Sequence, residues 1–446
     1  MRGNRILVAF VTVMMTAFVA VFCALPRSIY SELEKRELLR FPDFSWQSLR
    51  DGSFTQNVSN WFSDSEPFRD VFMACSMRLK SWMAIKLAPA EEKVTFHASE
   101  DAVEAVATDA PMEASQKIGD QRAITEYHHE VNANAKMENA GVIVVGSAPT
   151  ARALMAFKNK NKKEKDFVKV VNAYQETFGP EVRVYCMVIP TAVEYYCPVS
   201  AESCTQPEFP ILTELYALID SAVRVVDLYM VMGEHVDENI YFRTDHHWSP
   251  LGAYYAARQF AMVAEVEVPD LADFESHTIE GFVGSMYGYS KDIAVKKSPE
   301  DFVYYTPRND HYTTTYTKYK LDKDFQIIGE EKPHPGEFFV KASSTSSAYC
   351  TFMGSDSRIT QVKTEVSNGR RLLIMKDSFG NAIPGYLFGS FEEIHVIDFR
   401  YFTHNIKDYV REHGITDILM ANNLSQVCAG AIGSAYQRFL EVRSKK

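Results

Sequence analysis

"RLLIMKDSFGNAIPGYLFGSF", residues 371–391, decides how the rest of the chain is read. Its first five residues include a nearly unbroken apolar run, the pattern of a strand buried on both faces of a parallel sheet. The run ends at Met375; Lys376-Asp377-Ser378 follow, and a helix is expected to open around Gly380. A serine on such a strand-to-helix turn holds its hydroxyl at the carboxyl edge of the sheet. The free N–H groups of the helix start then face any oxyanion formed there. Gly380 allows the backbone to turn tightly. A serine that only caps a helix has the same local signature, so the stretch needs a partner elsewhere before it implies chemistry.

Four further runs share the strand pattern: "GVIVVG" (141–146), "VRVYCMVIP" (182–190), "EIHVID" (393–398) and "TDILMA" (416–421). Helical stretches lie between several of them, such as "DFVKVVNAYQETFG" (166–179) and "PLGAYYAARQFAMVAEV" (250–266). This alternation predicts a three-layer α/β fold with a mostly parallel sheet. Residues from about 275 to 365, rich in Tyr, Thr, Ser and Asp, break it. They predict an inserted β-rich region over the sheet's carboxyl end, where substrate contacts gather.

The partner stretch is "YFRTDHHWSP", residues 241–250. Ser249-Pro250 marks a helix start, serine as the cap and proline as the first helical residue. The residues just before it are expected to be extended, so Asp245 and His247 share a face and His246 points away. Asp245 then bonds one ring nitrogen of His247 and leaves the other to take a proton from Ser378. Each remaining candidate has two readings. Trp248 stacks on a sugar ring or packs beneath the loop. His246 is a second ligand or base, or a structural hydrogen-bonding residue. Arg400 binds an anionic substrate group or makes a surface salt bridge. Asn381 donates to an oxyanion or caps the turn; Asn422 and Asn423 line the site or serve a turn. His128-His129, in a polar helix-like stretch, look incidental. No CxxC or zinc-type spacing occurs, and a Ser–His–Asp set needs no metal or organic cofactor.

Of the 446 residues, 46% are hydrophobic and 13% aromatic, which supports a packed core. The net charge is −11 and the run Lys158–Lys165 is the sole basic cluster, which excludes a nucleic-acid footprint. Ile6–Leu25 runs about 20 residues without a charge behind Arg2 and Arg5, long enough to span a bilayer. An uncleaved anchor over residues 1–26 is expected, with the N-terminus cytoplasmic and the rest outside. Residues 27–120 read as short helices broken at Pro42 and Pro67, then an Ala- and acid-rich linker over 91–120. Residues 121–446 carry the α/β domain. Of seven cysteines, Cys23 lies in the span; Cys75, Cys186, Cys197, Cys204, Cys350 and Cys428 lie beyond it. Cys197 and Cys204 flank a short Pro/Ser-containing loop and are the expected disulfide in an oxidising compartment. Cys186 and Cys428 sit in apolar runs as small buried hydrophobes.

"TDHHWSPLGAYYAA" (244–257) resembles the signature of the DHHW family. The match extends to "VYCMVIPTAVEYY", "KDSFGNAIPGYL", "IHVIDFRYF", and upstream to "SELEKRELLRFPDFS" and "FRD". That family is similar to the SGNH hydrolase-like proteins of bacterial alginate O-acetylation, which carry Asp-x-His upstream of Gly-Asp-Ser and act outside the inner membrane. The resemblance implies an SGNH-like architecture, with Asp245 and His247 as acid and base and Ser378 as nucleophile. It implies O-acyl transfer, acetyl above all, to a surface or exported polysaccharide, with a membrane-bound O-acyltransferase partner supplying the acyl group. Lys376 departs from the pattern, standing where those proteins have glycine. A carbohydrate acetylesterase and a non-catalytic surface glycan-binding protein are the alternatives. DHH phosphoesterases share three letters but need further Asp motifs that this chain lacks. DHHC acyltransferases need a cysteine where Trp248 stands.

Overall fold

The computed structural model describes residues 30–31, 36–37, 40–50, 52–64, 126–127, 131–308, 311–322, 326–354 and 356–443. The expected membrane anchor, Cys75, the 91–120 linker and His128-His129 lie outside these residues. Among the described residues, no helix is long and apolar enough to cross a membrane. The chain divides into two units, one of residues 1–94 with 291–293, the other of the remainder. In the first, a strand pair Tyr30–Ser31/Arg36–Glu37 precedes helices Trp46–Arg50 and Ser53–Asp64. Phe41 meets Trp61 and Phe44 meets Phe54 edge-to-face, with centroids 4.9 and 5.3 Å apart, the arrangement that aromatic quadrupoles prefer.

The second unit is built on one large sheet. Its main strands in chain order are β1 (Arg183–Ile189), β2 (Arg224–Val225), β3 (Tyr312–Leu321), β4 (Arg358–Thr364), β5 (Arg371–Lys376), β6 (Glu393–Asp398) and β7 (Asp417–Asn423). Across the sheet they run β3-β4-β6-β5-β7-β1-β2. The apolar runs at β1, β5, β6 and β7 pair in parallel: Met375 lies opposite Ile397 on one side and Met420 on the other. Leu372, Leu373, Ile374 and Met375 have no exposed surface, as a strand covered on both faces requires. β5 is central, so Ser378 emerges mid-edge at the carboxyl end.

Two expectations need correction. The sheet is mixed: β4 pairs antiparallel with β6, and β3 antiparallel with β4. Part of the region expected over the carboxyl end therefore extends the sheet sideways, covering the edge that β6 would otherwise leave open. The strand pair Phe274–Phe282/Glu300–Pro307 forms apart from it. The segment "GVIVVG" is also no part of the main sheet. Val142–Val145 is the middle strand of a small antiparallel sheet with Ala135–Met137 and Arg152–Met155. Continuous apolarity reports burial on both faces and says nothing of strand direction.

The expected disulfide is absent as well. Cys197 and Cys204 are both free thiols. The residues between them wind into a 3₁₀ turn, Val199–Cys204, and the Cys197 thiol reaches the Pro198 carbonyl at 3.7 Å. Burial pushes that thiol's pKa up to about 11, which suppresses thiolate and hence disulfide exchange. Peptide mass mapping of the non-reduced protein should return Cys197 and Cys204 separately alkylated; a cross-linked peptide joining them would overturn this assignment.

Candidate active site

Residues 241–248 form a bent loop, not an extended segment. It is closed by an antiparallel bridge between Tyr241 and Trp248, with the Ser249 N–H donating to the Ile240 carbonyl at 2.8 Å. The partnership of Asp245 and His247 survives by another route. One Asp245 carboxylate oxygen accepts the His247 backbone N–H at 3.0 Å, an Asx turn. The same oxygen lies 2.7 Å from His247 Nδ1. The other accepts the Ser285 N–H at 2.8 Å. His246 does not point away: its ring lies 3.8 Å from that of His247, centroid to centroid, and its Nδ1 is 2.6 Å from the Ser285 hydroxyl. Glu300, at the start of the strand Glu300–Pro307, holds the loop from outside. Its carboxylate accepts the Thr244 N–H and hydroxyl, each at 2.7 Å, and the Arg243 N–H at 3.0 Å.

Ser378 begins a 3₁₀ turn, Ser378–Ala382, in place of the expected longer helix. Its amide, at the very start of the turn, precedes any intrahelical acceptor. Asp377 caps the turn by accepting the Phe379 N–H at 2.9 Å, while its other oxygen takes the Asn423 N–H and side-chain amide at 2.7 and 2.9 Å. These bonds knit the ends of β5 and β7 together. Burial raises the Asp377 carboxyl to about 6 against the pull of its N–H partners. From this turn the Ser378 hydroxyl meets His247 Nε2 at 2.7 Å. The chain Ser378–His247–Asp245 is thus continuous, built from positions 131 and 2 residues apart.

The structure sends three other candidates elsewhere. Trp248 is fully buried and donates its indole N–H to the Phe379 carbonyl at 2.9 Å, so it does not stack on a ligand. Arg400 is engaged in ion pairs: its guanidinium binds Asp398 at 2.7 Å and Asp356 at 2.9 Å. Asn381 gives one amide N–H to Asp356 at 2.9 Å. Lys376, two residues before Ser378, belongs to the same cluster, buried, with Nζ 2.8 Å from both Asp356 and Asp398. Burial would lower its pKa, but the two carboxylates outweigh that and raise it. Asn422 accepts the Tyr436 hydroxyl at 3.0 Å, and Asn423 serves Asp377. Removing only the cation would leave a buried acid less compensated. Lys376→Met should destabilise the protein by about 3 kcal/mol, the low end for a broken buried pair because Arg400 remains; urea unfolding of the full chain measures it, and an unchanged midpoint would contradict the assignment.

Several contributors carry no sequence signal. Tyr349, from the region expected as an insertion, stacks on the His247 ring at 4.0 Å with the planes 6° apart, and its hydroxyl donates to the Phe379 carbonyl at 3.2 Å. A Cβ at Gly284 would lie 2.4 Å from Asp245, and one at Gly380 2.4 Å from the Lys376 Cβ. Both positions require close approach; Gly380 stands out in the sequence as a tight turn, whereas nothing around Gly284 marks its closeness to Asp245.

Burial would raise the Asp245 pKa, but His246, His247 and its N–H donors overcome it and hold the carboxyl well below the usual range. Loss of water and the neighbouring His247 push His246 down to about 4, against the pull of Asp245, so it is neutral near pH 7. Asp245, His246 and His247 form the one group among the described residues whose candidate ligand atoms all lie within 4.8 Å of each other. Both His247 nitrogens are engaged, one with Asp245 and one with Ser378, and an ion bound to His247 would interrupt that chain. An ionised acid on Nδ1 sets the tautomer that leaves Nε2 free to receive a proton from a hydroxyl. The arrangement has the geometry for nucleophilic acyl chemistry.

A family model described as DHHW protein matches residues 34–95 and 114–397. The crystal structure of a DHHW family protein from Eubacterium siraeum is 34% identical, with a TM-score of 0.60 over 70% of this chain and 98% of that one. Bacillus cereus PatB1, solved with a sulfonyl adduct, matches at 17% identity and a TM-score of 0.52, over 69% of this chain and 99% of that one. The O-acetyltransferase domain of Pseudomonas putida AlgJ, at 10% identity over 70% of this chain and 100% of that one, has a TM-score of 0.36, too low to support a conclusion about this chain. No curated protein matches the chain.

Proposed function

This chain belongs to the DHHW family, and from that premise we propose that it is a serine-dependent O-acyltransferase acting outside the cytoplasmic membrane on a cell-surface or exported polysaccharide. The observation that carries the reading is the unbroken hydrogen-bonded path Ser378–His247–Asp245, with contacts of 2.7 Å at each ring nitrogen. His247 takes the Ser378 proton as the oxygen attacks an ester carbonyl. The tetrahedral oxyanion draws on the Ser378 amide at the start of the 3₁₀ turn. His247 then returns the proton to the departing alcohol, leaving an acyl-Ser378 ester. A sugar hydroxyl, deprotonated by His247, attacks that ester and carries the acyl group away; water in its place would make the same site an esterase. Asp245 stays ionised and stabilises the imidazolium. No metal or organic cofactor enters these steps.

The SGNH-type three-layer arrangement belongs to this reading. So do the location and the partner. Ile6–Leu25 behind Arg2 and Arg5 supports a single anchor with the remaining chain outside. An acyl group delivered there calls for a membrane-bound O-acyltransferase, since activated acyl donors are made in the cytoplasm.

Ser378→Ala and His247→Ala should each reduce hydrolysis of 4-nitrophenyl acetate to background, and Asp245→Asn should cut it by about four orders of magnitude. His246→Ala should cost far less than His247→Ala. Substantial turnover by the Ser378→Ala protein would rule the mechanism out. A sulfonyl fluoride should add its mass to a peptide containing Ser378 and to no such peptide of the Ser378→Ala variant. For location, a reporter fused after Lys446 should be active only outside the cytoplasm; a cytoplasmic signal would refute the proposed topology.

A further inference from the structure

The residues around His246 have a character that the catalytic chain does not need. Asp245 and His247 are under one-tenth exposed at the side chain, but His246 between them is 32% exposed. Its Nδ1 is matched to the Ser285 hydroxyl at 2.6 Å, which leaves Nε2 as its one remaining polar atom. Four residues beyond Ser285, on the same face of the short helix Ser285–Ser290, stands Tyr289. It is 45% exposed, while Met286 and Tyr287 beside it are buried. The Tyr289 ring meets His246 edge-to-face, with centroids 6.3 Å apart and planes at 77°. A single exposed tyrosine is ordinary on a protein surface. This one is set apart by its place, one imidazole away from the base that faces Ser378.

An exposed aromatic face beside a neutral imidazole suits a specific class of ligand. The C–H face of a pyranose ring packs on an aromatic ring, and its hydroxyls can donate to or accept from an imidazole nitrogen. A sugar acid would instead call for a cation. Lys376, two residues before Ser378, and Arg400, in the same ion-pair cluster, are both held by Asp356 and Asp398. We propose that Tyr289, His246 and Ser285 form the acceptor subsite of this protein, taking an uncharged pyranose ring and presenting one of its hydroxyls to the acyl group on Ser378. Tyr289 supplies the stacking platform; His246, braced by Ser285, holds a sugar hydroxyl within reach of His247. The bond formed is sugar O–acyl, the bond broken is Ser378 Oγ–acyl, and the sugar's proton passes through His247 to Ser378. This subsite rests on the acyl-transfer reading above.

The test measures partition of the acyl group between sugar and water. The full chain is supplied with 4-nitrophenyl acetate and, in separate reactions, with cellopentaose, mannopentaose or a galacturonate pentamer. Acetylated sugar is quantified by mass spectrometry, and free acetate and 4-nitrophenol are measured alongside. The wild-type protein should acetylate a neutral pentamer in preference to the uronate. Tyr289→Ala and His246→Ala should lower the ratio of acetylated sugar to free acetate roughly tenfold or more, and Tyr289→Phe, which keeps the ring face, should stay within about twofold. A residue with a merely structural role would lower both products together and leave the ratio unmoved. An unchanged ratio in both alanine variants, preference for the uronate, or 4-nitrophenol release with no sugar acetylated would each overturn the subsite. Absence of 4-nitrophenol release from the wild-type protein would instead overturn the catalytic reading on which it rests.

Discussion

The carbonyl of Phe379 is the atom on which this site depends. It accepts the Trp248 indole N–H at 2.9 Å and the Tyr349 hydroxyl at 3.2 Å. Trp248 ends the loop that carries Asp245 and His247, Tyr349 comes from the 3₁₀ segment Thr345–Thr351, and Phe379 follows the nucleophile. Three separate parts of the chain therefore converge on one acceptor next to Ser378. Each bond contributes only about 1 kcal/mol net. Their value lies in geometry, because a buried carbonyl with two fixed donors admits few placements of the turn. Tyr349 adds a second constraint through the same side chain, since its ring lies flat on His247. One tyrosine thus relates the height of the imidazole to that of the serine turn.

Behind this clamp, charge takes over from packing. Lys376, Arg400, Asp356 and Asp398 form a closed set of ion pairs beneath the nucleophile turn. Such a set costs desolvation and is weak as a source of stability. Its effect here is directional. Lys376 leaves β5 two residues before Ser378, Asp398 ends β6, and Arg400 follows it, so the pairs fix how the two strands end relative to each other. The missing Cβ of Gly380 is what lets the turn fold back over the Lys376 side chain. Lys376 is thereby accommodated as a buried brace between Asp356 and Asp398.

The two histidines of the motif divide the local environment between them. His247 is enclosed, flanked by Tyr349, Asp245 and Ser378. His246 shares the same acid only weakly, at 3.7 Å, and turns to Ser285 and to solvent. Two identical side chains one residue apart therefore hold different stations because the loop bends. A straight segment would have thrown His246 to the opposite side of the strand, which is why the i, i+2 argument reached the right pair by the wrong geometry.

Sequence alone determined the α/β class and the strands β1, β5, β6 and β7, and it singled out Asp245, His247 and Ser378, which the fold joins in one hydrogen-bonded chain. Buried strands announce themselves through unbroken apolar runs, and a serine after such a run, or an acid two residues before a histidine, is a local pattern with local chemistry. Beyond the Ser378–His247 pairing, what distant parts of the chain decide was illegible. The β-rich character of the 275–365 region was legible, but that β3 and β4 join the main sheet follows only from β4 pairing with β6 and β3 with β4. Arg400, Asn381 and Trp248 have side chains suited to ligands, and only the fold shows that Asp356, Asp398 and the Phe379 carbonyl reach them first. Gly284 and Tyr349 have no motif at all, because closeness to Asp245 and His247 is a property of folded space. A residue's chemistry is written in its side chain, but whether that chemistry is spent internally or left for a ligand depends on neighbours that only tertiary structure supplies.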